Sequence, residues 1–243
     1  MRRDEFDEVN MAGVGVIWHR LAAAQHLPPS WLVAVSGLLA LAAVAPRRAW
    51  LVSRNAVTIA HEGGHALVAL MTGRRLAGVR LHRSTAGETI SAGKPAGPGM
   101  MCTAAAGYTA PSLLGLGAAA LLAAGHPAAM LLISLVLLAA LTLAMRNGYG
   151  LAAVLVAGLT VLAVCWFASP LVQAVFAYSL AWFLLLGSVR PVVELQRTRR
   201  RGLRATDADE LARLTGVPGL VWVGMFGIVV LAALAFGADL LIR

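Results

Sequence analysis

Apolar residues occupy this chain in long blocks, and short polar clusters punctuate them. The blocks run from Trp31 to Ala45, Trp50 to Met71, Met100 to Ala124, Pro127 to Met145, Gly148 to Ala168, Pro170 to Val189 and Val217 to Ile242. Proline, glycine or arginine stands at most boundaries, as in Pro46-Arg47-Arg48, Gly73-Arg74-Arg75 and Asn147-Gly148. An apolar run of about 20 residues is long enough to cross the hydrocarbon core of a bilayer as a helix. Within hydrocarbon, a single segment can satisfy its own backbone only as a helix. The pattern therefore predicts an all-α polytopic membrane bundle of six to seven transmembrane helices, with 31–45 near the short limit for a span. Met100–Ala124 is rich in Gly and Ala, which predicts close helix packing.

One stretch breaks this habit. Val79-Arg80-Leu81-His82-Arg83 alternates apolar and polar, Ser84-Thr85-Ala86-Gly87 carries a turn signal, and Glu88-Thr89-Ile90-Ser91 alternates again. Period two on either side of a turn predicts a small β-hairpin in the loop 73–99. The expected organisation is a single membrane-embedded domain over 1–243. An N-terminal arm covers 1–29, and 190–216 forms a basic connector on the cytoplasmic side. Phe6, Val9, Val16 and Ile17 with Arg20 fit an interfacial amphipathic helix, and a solvated arm fits equally well. The opening residues MRRDEFDEVN do not lead into a cleavable secretory signal.

Composition sharpens the class. The chain is 59% hydrophobic and only 13% charged, where soluble domains carry about 25% charged residues. The net charge of +9 raises the question of nucleic acid. Most of the arginines, however, flank apolar blocks, which is the positive-inside pattern and implies no nucleic-acid partner. With the 73–99 loop inside and strict alternation from there, 16 of the 20 Lys and Arg fall inside, leaving Arg47, Arg48, Arg54 and Arg243 outside. The expected location is the cell membrane, crossed several times, with lipid as the surrounding partner. Cys102 and Cys165 fall in apolar stretches and read as small buried residues.

The second apolar block contains His61-Glu62-Gly63-Gly64-His65. On a helix the two histidines project from one face, so two neutral imidazole nitrogens can hold one Zn2+. Glu62 lies beside them, placed as the general base that takes a proton from the attacking water. Ionisable side chains inside a membrane helix are costly and imply function. About seven residues separate His65 from Arg74, or roughly 10 Å of helix rise, which puts the site toward the cytoplasmic side.

A catalytic zinc site takes three protein ligands. Asp239 and His126 fall at the outer ends of spans. His82 and Glu88 sit on the hairpin, where they could approach the metal. Thr206-Asp207-Ala208-Asp209-Glu210 has the right depth, but the same residues also read as an ordinary helix start capped by Thr206. Spacing does not choose between Asp207 and Asp209. Asn147 reads either as a turn residue or as a polar clamp for substrate.

Together, His61–Ala66, Gly107–Gly115, Arg146-Asn147-Gly148-Tyr149-Gly150 and Thr206–Pro218 resemble a compact bacterial branch of the site-2-protease-like metallopeptidases. The resemblance covers roughly 55–240, with Thr206 standing where this branch tends to carry Ser. It implies Asp207 as the third zinc ligand. It also implies a membrane-embedded zinc endopeptidase that cuts membrane protein or peptide substrates, with Glu62 as the catalytic base. Two other readings of the motif are a non-catalytic scaffold that retains it and a transporter that relays protons or metal.

Overall fold

The computed structural model describes residues 28–83, 86–202 and 206–243. The arm expected over 1–29 therefore lies almost wholly outside the described residues, as does the Ser84-Thr85 turn. The helices are α1 (Ser30–Val44), α2 (Arg47–Met71), α3 (Pro98–Ala123), α4 (Pro127–Ala144), α5 (Gly148–Phe167), α6 (Pro170–Gly187), α7 (Val189–Arg200), α8 (Asp207–Thr215) and α9 (Gly219–Ile242). Between α2 and α3 lies an antiparallel hairpin of β1 (Arg75–Leu81) and β2 (Gly87–Ala92). Its register pairs Val79 with Thr89 and Arg80 with Glu88, and a bulge falls between Leu76 and Gly78. The all-α bundle with one small hairpin is the fold that the hydropathy pattern predicts.

Five segments are long and apolar enough to cross a membrane: α3, α4, α5, the continuous run of α6 with α7, and α9. Helices α1 and α2 qualify only as a pair, bent by 102°. Ala45 and Pro46 make the break, with Pro46 at φ −72° and ψ 136° just ahead of α2. Ala45 is still helical, at φ −72° and ψ −48°, so the turn is made at Pro46, which has no N–H to continue the ladder. The described chain thus makes up to six crossings, because blocks 31–45 and 50–71 are two legs of one bent unit.

This bend corrects the strict alternation. The Ser36 hydroxyl donates to the Val175 carbonyl at 3.3 Å, Gly37 faces Trp182 and Gly187 faces Val44. Numbers rise together along the contact, so α1 and α6 run parallel. Arg190, just past α6, donates to the carbonyls of Val44 and Ala45 and lies over the Trp50 ring. Arg47 and Arg48, left outside by alternation, therefore stand at the Arg190 end. Among the described residues, every Lys and Arg but Arg243 then belongs to that end of the bundle. Hydropathy could not supply this, because it counts apolar blocks and is blind to the angle between them.

Small residues bring α2 and α3 together. A methyl group on Gly64 would collide with the Ala110 side chain and sit 3.2 Å from the Ala106 carbonyl. One on Gly63 would meet only Leu141, at 3.7 Å. The outward faces of the bundle carry Leu143, Phe167, Ile228 and Phe236, all exposed, as a lipid-facing surface requires. Gly64→Ala should therefore destabilise the protein by about 1–3 kcal/mol through overpacking. Gly63→Ala should be neutral or gain up to about 1 kcal/mol from helix propensity. Thermal melting of the detergent-purified variants checks both, and an unchanged midpoint for Gly64→Ala would contradict the α2–α3 packing described.

Candidate metal centre

Helical spacing puts His61 and His65 on the face of α2 that meets α3. His65 is buried, and its Nδ1 lies 2.6 Å from the Thr103 carbonyl oxygen of α3. A carbonyl only accepts, so Nδ1 carries the proton and donates it. In the neutral ring that leaves the Nε2 lone pair free. Nε2 of His65 lies 3.2 Å from Nε2 of His61, and Oδ2 of Asp207 lies 3.2 Å from the first and 3.3 Å from the second. His61 is held edge-on against Tyr108 of α3, and Tyr108 stacks on Phe226 of α9.

Three acceptor atoms this close need positive charge between them. Protons on the rings are one source, but Asp207 Oδ2 is buried and has no hydrogen-bond partner despite the two short distances. A tetrahedral ion with ligand bonds of about 2.0–2.1 Å has ligand-to-ligand edges of about 3.3 Å. His61, His65 and Asp207 thus form a group that fits a divalent metal, and two imidazoles with one carboxylate are a donor set suited to zinc. Gly107 of α3 faces this centre. A Cβ there would fall on Nε2 of both histidines.

Asp207 is the first residue of α8, and its neighbours explain its freedom. The N–H and hydroxyl of Thr206 both donate to the Asp209 carboxylate, at 3.2 and 2.7 Å. Arg199 of α7 pairs with the same carboxylate. Asp209 is thus taken up as the residue that reaches back to the cap, and Asp207 is left to face the histidines. The helix start and a carboxylate turned to the histidines, alternatives in the sequence, occur together in the structure. Ala208 and Leu211 lock α8 into an apolar cluster with Ala104, Val192, Leu195 and Phe226.

Glu62 is almost fully buried, at 4% exposure, under the hairpin. The Thr89 hydroxyl of β2 lies 2.7 Å from Glu62 Oε2, as a donor to the carboxylate, and Gly87 presses on the same side chain. Sequence reasoning did not single out Thr89, although the alternation of β2 already placed it on the face opposite Glu88. The other candidates lie elsewhere. His82 and Glu88 are exposed on the hairpin, Asp239 pairs with Arg243, and Glu210 pairs with Arg213. Asn147 lies in the link between α4 and α5, where its side chain is engaged by β1. Its amide donates to the Leu81 carbonyl at 2.6 Å and accepts from the Leu81 N–H at 3.2 Å. With the Arg146 N–H donating to the Val79 carbonyl at 2.9 Å, it covers the outer edge of β1.

A cavity of about 350 Å³ opens onto the centre, lined by His61, Glu62, Gly87, Tyr108 and Asp207 at one end. At its other end Glu194 of α7 accepts from the Trp50 indole at 3.0 Å and pairs with Arg54 at 3.3 Å. The space is thus lined by His61, Glu62 and Asp207 and by an ion pair joining α2 to α7.

The model of the Peptidase M50B-like family matches residues 34–237. No curated protein and no solved structure matches the chain.

The cap of α8 titrates. Partial burial works against the charge of Asp209, but its hydrogen bonds from Thr206 and Arg199 outweigh this and hold its carboxyl below the usual carboxylate range. A depressed carboxylate contributes stability that is full above the unfolded value of about 3.9 and fades as pH falls through the folded value. The melting-point gap between wild type and Asp209→Asn should therefore be widest near pH 6 and narrow toward pH 3. A gap that does not change with pH would show that the Asp209 charge adds nothing to the cap.

Proposed function

This chain belongs to the Peptidase M50B-like family, and from that premise we propose that it is a membrane-embedded zinc metalloendopeptidase acting on membrane-associated proteins. The observation that carries the reading is the convergence of His61, His65 and Asp207 to 3.2–3.3 Å around one point, with Glu62 one residue from His61. A zinc ion held by those three residues would polarise the scissile carbonyl and make water a competent nucleophile near neutral pH.

The remaining chemistry belongs to the chain. Thr103 holds His65 in the tautomer that presents Nε2. Thr89 donates to one oxygen of Glu62, which orients the carboxylate and leaves Oε1 for the attacking water. Glu62 accepts the water proton as the C–O bond forms, then delivers it to the leaving amine as the C–N bond breaks. The low exposure of Glu62, 4%, limits the contact of that proton with bulk water.

A membrane-spanning substrate must unwind before its backbone can reach this point. Met145 to Asn147 cover the free side of β1, whereas the backbone bonds of β2 run to β1 among the described residues. The β2 edge, with Gly87 at the cavity wall, is the strand to which an unwound peptide would add. The concentration of arginines at this end of the bundle supports a cytoplasmic location for it.

His61→Ala, His65→Ala and Asp207→Ala should each weaken zinc binding by about 10-fold or more, and Asp209→Ala by much less. Metal analysis of purified variants measures this, and full zinc in both histidine variants would remove the site. Glu62→Gln should retain metal and lose cleavage of a membrane peptide, because an amide cannot take the proton. Unchanged turnover in that variant would exclude Glu62 as the base. In cells, a cysteine introduced at Thr198 should react with an impermeant thiol reagent only from the cytoplasmic face, and one at Ala124 only from outside. The reverse result would invert the proposed orientation.

A further inference from the structure

A second groove, of about 330 Å³, lies between α7 and α9 on the opposite side of α7 from the metal cavity. Buried Val192 and Val223 give it an apolar floor, the exposed Val193 adds an apolar wall, and Arg197 and Arg200 stand exposed at its rim. We propose that this groove seats one anionic phospholipid, with an acyl chain against the valines and the phosphate against the two arginines.

Its depth supports a lipid. The run Pro170–Arg200 is one candidate span of 31 residues, about 46 Å of helix where the hydrocarbon core is about 30 Å thick. If the run enters the hydrocarbon near Pro170, its last ten or so residues stand at headgroup level, which is where α7 and the groove lie. Long arginine side chains reach back from there toward lipid phosphates. An apolar floor beside a basic rim at that depth matches the two ends of a charged lipid, and a wholly polar ligand would leave the valines uncovered. The same helix walls the other cavity. Glu194, Leu195 and Thr198 line the cavity that opens onto the metal centre, and Arg199 holds Asp209, two residues from Asp207. A lipid seated in the groove thus bears on the wall that anchors α8.

Native mass spectrometry of the purified full-length protein, with phosphatidylglycerol or phosphatidylcholine added, tests the seat. Two arginines near the membrane surface predict a preference on the order of 30-fold for the anionic lipid. Arg197→Gln with Arg200→Gln should remove most of it. Arg47→Gln with Arg48→Gln, an equal change of charge at the same end of the bundle, should not. Val193→Trp, which fills the groove without altering charge, should also lower retention of phosphatidylglycerol. Equal loss in both arginine pairs would mean diffuse attraction and overturn the proposal. So would full retention in Val193→Trp, or no preference in the wild type. None of these readouts depends on zinc or on peptide cleavage.

Discussion

Two imidazole nitrogens and a carboxylate oxygen face one another across about 3 Å inside an apolar bundle, and much of the fold serves to hold them there. Such a cluster is unfavourable unless positive charge fills its centre, because acceptor lone pairs repel and the surroundings screen poorly. It therefore has to be imposed by its neighbours. Thr103 fixes one ring by hydrogen bonding, Tyr108 fixes the other by edge contact, and Arg199 with Thr206 fixes the helix that presents Asp207.

The imposition depends on close backbone approach. Gly64 lets α3 reach α2, and Gly107 leaves room for the histidines where any side chain would intrude. Hydrophobic sorting contributes little to helix association in a bilayer, so small residues and interhelical hydrogen bonds carry it. The Ser36–Val175 and His65–Thr103 bonds are of that kind, each joining two helices through one polar side chain. The hairpin adds the third side of the site, because Thr89 and Gly87 cover Glu62 from above.

Helix α7 links the parts. One of its faces lines the cavity, where Glu194 meets Arg54 and Trp50 of α2, and its end fixes α8 through Arg199. Its remaining face meets α9 in a groove with a basic rim. A single helix thus joins the basic-rimmed groove, the cavity wall and the segment that carries Asp207.

Taken alone, the sequence determined the class, the helical blocks, the hairpin and the stripe of His61, Glu62 and His65. All of these follow from local periodicity, which is set by backbone geometry within one element. It did not reveal that blocks 31–45 and 50–71 form one bent unit, because hydropathy carries no angle. Spacing did not choose between Asp207 and Asp209, and only the resemblance favoured the first; the packing shows that Arg199 and Thr206 engage Asp209 while Asp207 lies against the histidines. The contacts of Thr89, Gly107 and Thr103 left no trace for the same reason: each is made with a residue in another element. Only tertiary packing decided those points, because contacts between elements depend on how the helices cross, and spacing along the chain leaves no record of it.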